Sequence, residues 1–547
     1  MLPVVLGSFG ALLIGYLVYG RFLASRFKLD NTQATPADTM CDGVDYVPTR
    51  AAILFGHHFS SIAGAGPIVG PIFAATAFGW LPGLVWIILA VIFIGGMHDF
   101  SVLVASIRHR ARSIAEIARQ YIGPLAYRLL LAFLWLAVIY VIIVFMDLTS
   151  ATFIAEGGVA SSSAMYIFLA ICFGIAIYRL KLPILLGSAV FIPLVFMLIW
   201  LGQLIPIDPK LLPPILRDDP ATTWNAILLL YCLFASIAPV WLLLQPRDYL
   251  SSFLLYACLL GGGIGVLVGA SEGDLRLSYP CFTSWWHPKY GGLIPVLFIL
   301  IACGAVSGFH SLVASGTTAK QLAKESHARP IGYGAMLIEG VLAIIALCCV
   351  IIVAKGETIL EKQPIQIFAS GISRFFSSLG VPSRLGETFG LLAVSAFILT
   401  TLDTCTRIGR FLFEEFFGMP KGILSRLSST VVTLVPPAIF VMTQFKDPEG
   451  RPIPAWKMIW PVFGSTNQLI AGLALLTVAC WLSSIKRGGV FILIPMFIML
   501  VVTTWSLGGM VLNPAQTLVV RIIAAGLLGL AIILIGLCLK RRPHGVK

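Results

Sequence analysis

Apolar runs of about 20 residues, the length that crosses a bilayer, follow one another from one end of the chain to the other. They predict fifteen helices, near 3–20, 51–78, 82–106, 127–148, 163–179, 183–205, 223–245, 249–270, 292–318, 331–354, 386–406, 428–445, 458–483, 489–509 and 518–539. The runs are continuous and lack the period-two alternation of barrel strands, which excludes a β-barrel. The polar stretches between them are short, so a soluble domain of any size is not expected. Residues 3–20 lack a basic leader and are followed by Arg21, Arg26 and Lys28, the wrong order for a cleaved signal, so they read as a retained helix. The fold class is all-α, a polytopic membrane protein of about 15 transmembrane helices.

Composition agrees: 58% of residues are hydrophobic and 11% charged, against about 25% charged in soluble domains. The net charge of +13 is a topological signal. With fifteen alternating helices, the loops on one side hold 25 of the 37 Lys and Arg. The positive-inside rule puts that side in the cytoplasm, with the N-terminus outside and the C-terminus inside. The surplus thus offers nothing for a nucleic-acid partner. The eleven cysteines are scattered, with neither a disulfide framework nor metal-ligand spacing. Of the outer loops, 271–291 is rich in Trp and Tyr, an interfacial anchor or an external lid, and 355–385 holds a stretch with the pattern of a surface amphipathic helix.

The second predicted helix contains GHHFSSIAGAGPIVGP at 56–71. Helix breakers at membrane depth are tolerated where protein or a water-filled cavity surrounds them, because an unsatisfied backbone group in hydrocarbon costs several kcal/mol. Gly64-Ala65-Gly66-Pro67 suits such a break, with Pro67 at the first turn of a new half-helix whose positive end favours an anion. The alternative is close packing through small residues. The seventh helix carries FASIAPV at 234–240 against FSSIAGAG at 59–66, in opposite orientation. This suggests two inverted five-helix repeats at 45–205 and 222–410, an extra helix in 1–30 and four helices in 424–547.

Five segments resemble the carbon starvation protein A (CstA) family of bacterial transporters: FGHHFSSIAGAGPIVGP (55–71), LLLQPRDYL (242–250), SGFHSLVASGTTAKQL (307–322), TTLDTCTRIGRF (400–411) and FGSTNQLIAGLALL (463–476). The resemblance spans most of 40–485. It implies proton-coupled pyruvate uptake, with peptides as the older proposed substrate, and membership of the amino acid–polyamine–cation superfamily, whose known folds are five-plus-five inverted repeats (LeuT-like).

Candidate substrate contacts are His57, His58, Ser60, Ser61, Gly64 and Gly66 at the first break, Ser236 and Pro239 in the seventh helix, and His310 in the ninth. Imidazole titrates near neutral pH, and ionisable groups within a membrane are functional candidates. Candidates for cation coupling are His58, Ser311, Ser315, Thr317, Thr318, Glu339 and Asp403. Glu339 reads as the only carboxylate besides Asp403 well inside a span. Arg407, four residues after Asp403, lies on the same helical face as a structural ion pair or inner gate. Gln245-Pro246-Arg247-Asp248 reads as a tight inner turn. In the five-plus-five fold, Ala63 and Gly64 with Ser315 and Thr318 resemble a sodium site. Ser465, Thr466, Asn467 and Gln468, early in the thirteenth helix, suit either the core or a subunit contact.

These features point to a secondary transporter importing a small carboxylate, pyruvate-like, by cation symport, with alternating access around broken helices. Peptide uptake is the alternative. An intramembrane enzyme, using His57 or His310 with a nearby serine, and a channel are the rival classes. The chain has no P-loop and no G-x-S-x-G motif, and an enzyme is not expected. The coupling ion, proton or sodium, is the sole cofactor expected. The expected partners are a small carboxylate or short peptide and membrane lipid. The expected location is the bacterial inner membrane. The pattern carries no signal for oligomeric state.

Overall fold

In the computed structural model the first long helix is α1 (Leu2–Phe27), and two short helices then share one membrane passage. They are α2 (Ala51–Ile62) and α3 (Gly66–Phe78), bent by 45° at the interruption. Ala63 leaves the helical region and Pro67 opens the new helix, where its missing N–H costs nothing. The structure describes all residues except 43–45, 208–218, 240, 289–290, 421, 447–449, 451, 515 and 541–547.

After the break come α4 (Trp80–Arg108), α5 (Ile114–Tyr121), α6 (Pro124–Ala155), α7 (Gly157–Tyr178), α8 (Ile184–Leu204), α9 (Pro220–Ile237) and α10 (Leu244–Glu272). A second interrupted passage follows, α11 (Leu293–Leu300) and α12 (Gly308–Gly316), with residues 301–307 unwound between them. Then come α13 (Glu325–Ile351), α14 (Pro364–Ser377), α15 (Ser383–Phe417), α16 (Ile423–Met442), α17 (Ala455–Ser484), α18 (Val490–Leu512) and α19 (Leu518–Lys540). Among the described residues thirteen helices are long and apolar enough to cross a membrane, and the bent pair α2–α3 brings the candidate spans to fourteen, so the chain is a multi-pass membrane protein. The expected span 292–318 is instead split into the two short helices α11 and α12.

The order of elements repeats. Each interrupted passage is followed by a long helix containing a π-turn, Val91–Gly95 in α4 and Arg329–Gly334 in α13. A short amphipathic helix follows, α5 or α14, and then one of the two longest helices, α6 with 32 residues or α15 with 35. Helices α6 and α15 pack on each other, and α9 and α16 pack on both. Each unit closes with a helix set against its own interrupted passage: α10 on α2, and α17 on α12.

This pattern places the units at 51–272 and 293–484. The expected boundaries at 205, 222 and 410 do not follow it. Helices α7 and α8 form a hairpin inserted between α6 and α9, and two long helices, not four, follow the second unit. The reason is local. FASIAPV is the C-terminal end of α9 and not a break within a span, since α9 stops at Ile237 and α10 starts at Leu244. Its true counterpart is Ile301–Ser307, which contains a single glycine and no proline. Gln245-Pro246-Arg247-Asp248 forms the first turn of α10, not a loop.

The two breaks press together. A Cβ added to Gly66 would lie 2.2 Å from Cys303 Cβ, so glycine is required at this approach. Residues 278–283 close over the ends of α3 and α4: the Cys281 carbonyl accepts from Leu81 N–H at 2.9 Å, and the Tyr279 hydroxyl donates to the Thr76 carbonyl at 3.0 Å. Trp285 and Trp286 of the same loop stay exposed. Helix α14 is more deeply set than a surface helix. Nine of its residues, including Phe368 and Phe375, are buried, and it packs against α10 and α15.

Candidate functional site

Residues 63–65 are buried. The space expected beside them for an anion is filled in this conformation. A Cβ on Gly64 would lie 3.0 Å from both the Phe145 ring and the Thr401 hydroxyl. The two large cavities end short of the break, on opposite sides.

The first cavity, about 760 Å³, lies on the face called here the basic face, after the arginines that line it. Arg179, Arg407, Arg410 and Arg426 line it together with His57, Pro239, Tyr178 and Trp241, and no carboxylate is among its described lining residues. At its inner end His57 Nδ1 lies 3.1 Å from Asp248 Oδ2. Next to Asp248, the fully buried Arg247 pairs with Asp403 and meets the Tyr231 hydroxyl. Tyr231 donates to Asp403 Oδ2 at 2.6 Å. Buried ions persist only when paired, because taking each from water costs several kcal/mol. This cluster ties α2, α9, α10 and α15 together beneath the break.

The expected Asp403–Arg407 pair does not form. Arg407 turns to the carbonyls of Ala235 and Ala238, at 2.8 and 2.6 Å, and Arg410 donates to the Ser236 carbonyl at 2.8 Å. These are the carbonyls left unpaired at the C-terminus of α9, which attract cations.

A second polar cluster lies among α2, α4, α12, the turn after α12, and α13. His98 Nδ1 and His310 Nδ1 each lie 2.7 Å from Asp99, one on Oδ1 and the other on Oδ2. His310 Nε2 lies 3.3 Å from Glu339 Oε2. His58 Nδ1 lies 2.8 Å from the Thr318 hydroxyl. All five ionisable groups have no exposed surface. His310 and Glu339 were expected from sequence, but Asp99 and His98 were not. Glu339 is thus not the sole further carboxylate within a span, since Asp99 and Asp147 also lie inside helices. The signal for Asp99 was a His-Asp pair, GGMHDF, inside an apolar run.

The second cavity, about 690 Å³, lies on the opposite face. Asp147, Asp219, Ser150, Thr152, Asn225 and Gln366 are among its lining residues. Asp147 accepts from the Trp456 N–H at 2.9 Å, capping the first turn of α17.

The remaining predicted residues are engaged locally. Ser60 bonds Ser251 at 2.7 Å, and Ser61 donates to the His57 carbonyl at 2.8 Å. Ser236 meets Thr430 at 3.0 Å. Ser311, Ser315 and Thr317 donate to carbonyls of their own segment, Gly308, Ser311 and Val313. None of these serine hydroxyls bonds a histidine ring, so the enzyme-like dyad is not assembled. The sodium set Ala63, Gly64, Ser315 and Thr318 is not assembled either. Thr318 is committed to His58 and Ser315 to its own helix, while the hydroxyl facing Gly64 belongs to Thr401 of α15. In α17, Asn467 Oδ1 accepts from Phe309 N–H at 2.9 Å and from Ser307 at 3.3 Å, and Gln468 donates to the Phe298 carbonyl at 2.9 Å. These two residues support the second break, a core role.

Two units of matching element order, each opening on an interrupted helix, give the chain a LeuT-like fold, and with the relatives named below they make it a secondary transporter. The solved structure of MhsT in complex with L-phenylalanine shares this fold at a TM-score of 0.52 and 13% identity, over 88% of this chain and 98% of that one. The chain belongs to the carbon starvation protein CstA family, whose pattern matches residues 1–361 and 353–506. It is 35% identical to a peptide transporter CstA of Helicobacter pylori strain J99, over 90% of this chain and 79% of that protein. It is 33% identical to the pyruvate/proton symporter BtsT of Escherichia coli K12, over 92% and 81%.

Proposed function

We propose that the protein imports a small monocarboxylate of the pyruvate type together with a proton, across a bacterial cytoplasmic membrane. The basic face is cytoplasmic, the N-terminus is outside and the C-terminus inside. The observation that carries this reading is the cavity on the basic face, with four arginines and His57 in its wall and no described carboxylate. Such a wall attracts an anion and repels an amine. The pyruvate/proton symporter among the relatives supports the same substrate class.

The geometry supplies the parts of alternating access. The units α2–α3 and α11–α12 form one body with α4 and α13, and α6, α9, α15 and α16 form the other. His57–Asp248 and Arg247–Asp403 join the two near the inner cavity, with α10 between them. A carboxylate arriving at His57 competes with Asp248 for the imidazole, which links substrate arrival to loosening of this contact. On the outer side, Asp147 holds α17 by its first turn, and loop 278–283 covers α3 and α4.

Equilibrium binding of labelled pyruvate to the purified protein tests the reading. Pyruvate should bind and short-chain 2-keto acids should displace it, whereas dipeptides should not; displacement by dipeptides alone contradicts it. Arg426→Gln should weaken pyruvate binding severalfold. Peptide uptake is the second reading. It is favoured by Asp147 and Asp219 in the outer cavity, which suit an amine.

A further inference from the structure

The cluster among α2, α4, α12 and α13 contains three histidines and two carboxylates, all without exposed surface. It is separate from the His57–Asp248 and Arg247–Asp403 pairs, and the anion reading does not use it. Its hydrogen bonds distinguish its two acids. Both oxygens of Asp99 are taken, Oδ1 by His98 and Oδ2 by His310. Neither oxygen of Glu339 has a hydrogen-bond partner, although His310 Nε2 stands 3.3 Å from Oε2. His310 therefore lies between a carboxylate with two imidazole partners and one with room to change its state.

A neutral imidazole has one N–H and one lone pair, so a ring with both nitrogens turned to carboxylates is matched only as imidazolium. With His98 neutral and donating through Nδ1, the imidazolium of His310 and the two carboxylates sum to minus one. Buried net charge is costly, by several kcal/mol for each unpaired ion. One further proton brings the cluster to zero, and Glu339 is the only one of the two acids with an oxygen free to carry it.

We propose that Glu339 is the residue that binds and releases the transported proton, with Asp99 and His98 fixing His310 as its positioning partner. The inference rests on the symport reading above. An O–H bond forms on Glu339 as hydronium on the outer side gives up a proton and becomes water, and it breaks as water on the inner side takes that proton to become hydronium; no redox change is involved. The third histidine, His58 of α2, is neutral in this count and bonds the Thr318 hydroxyl, and the other groups facing the cluster are His57 of α2 and the Cys303 thiol in the second break. The His310 ring also faces the backbone of Ile62, the last residue of α2. Proton occupancy is thereby felt at both breaks: the neutral cluster can stay buried while the breaks move, and the charged one resists burial.

The test uses the full-length protein in nanodiscs, without substrate, by pH-difference infrared spectroscopy. The wild type should show a titrating carboxylic-acid carbonyl band that Glu339→Gln lacks. Glu339→Asp, the conservative control for folding, should keep the band with a displaced pH midpoint, and His310→Gln should displace the midpoint also. In proteoliposomes, Glu339→Gln should lose pyruvate accumulation driven by a pH gradient, and its residual exchange should stop responding to pH. Persistence of the band in Glu339→Gln, an unmoved midpoint in Glu339→Asp, or intact pH-driven accumulation in Glu339→Gln would overturn the proposal. Should the wild type carry no pyruvate under any gradient, the substrate reading fails, while the infrared result still decides the role of Glu339.

Discussion

Arg247 is a cation with no exposed surface, held by Asp403 and Tyr231. Removing one member of such a pair leaves an uncompensated charge, which costs about 3–5 kcal/mol, whereas replacing both by apolar groups is often neutral. Arg247→Met should therefore lower the thermal midpoint of the purified protein sharply, and the double variant Arg247→Met/Asp403→Leu should recover most of the loss. Asp219 offers a milder case outside the spans. It caps α9 by accepting from the N–H groups of Ala221 and Thr222 and from the Thr222 hydroxyl. The Thr222 hydroxyl leads the effects that hold its carboxyl below the usual carboxylate range. A lowered folded value means that its stabilisation is complete above the unfolded carboxylate pKa and is lost as pH falls through the folded one. Asp219→Ala should cost about 1 kcal/mol at neutral pH, and melting curves of the two proteins should converge in acid. At this scale the sequence was only partly legible. His57, His58, His310 and Glu339 stood out as polar groups in apolar runs. Asp99 did not, because its run is otherwise an unremarked span and its partner His310 lies 211 residues away. Arg407 misled for a related reason. Its i+4 spacing to Asp403 is real, but unpaired carbonyls from another helix offered a stronger site.

The central elements are the two interrupted helices. Their contact at Gly66 and Cys303 leaves no room for a Cβ. Gly66→Ala should destabilise the protein by about 1–3 kcal/mol, the range for overpacking a filled core, and should slow transport. Gly66→Ala/Cys303→Gly should restore much of the melting temperature, and a failure to do so would place the strain elsewhere. The first break was legible because Gly64-Ala65-Gly66-Pro67 combines glycine freedom with a helix-starting proline. The second was not. Ile301–Ser307 is apolar and small, and only tertiary contacts, including the Asn467 cap on Phe309 N–H, make unwinding affordable. Most of the spans were readable from run length alone, whereas the run at 292–318 is two short helices, α11 and α12. The repeat boundaries depended on locating the second break, and shifted with it.

For the whole molecule, the two cavities differ in sign: arginine-lined on the basic face, with Asp147 and Asp219 on the other. Between them stand the paired breaks and the α6–α15 contact, so the conformation is closed at its centre. In the proposed import cycle the contacts that loosen in turn are His57–Asp248, between the first body and α10, and the Asp147 cap, between the second body and α17. The most direct measurement is pyruvate uptake by the purified protein in liposomes, at fixed membrane potential, with proton and sodium gradients imposed separately. A proton gradient directed inward should drive accumulation above the outside concentration, and a sodium gradient should leave uptake unchanged. Accumulation driven by sodium alone, or equilibration that no gradient can push uphill, would contradict the account.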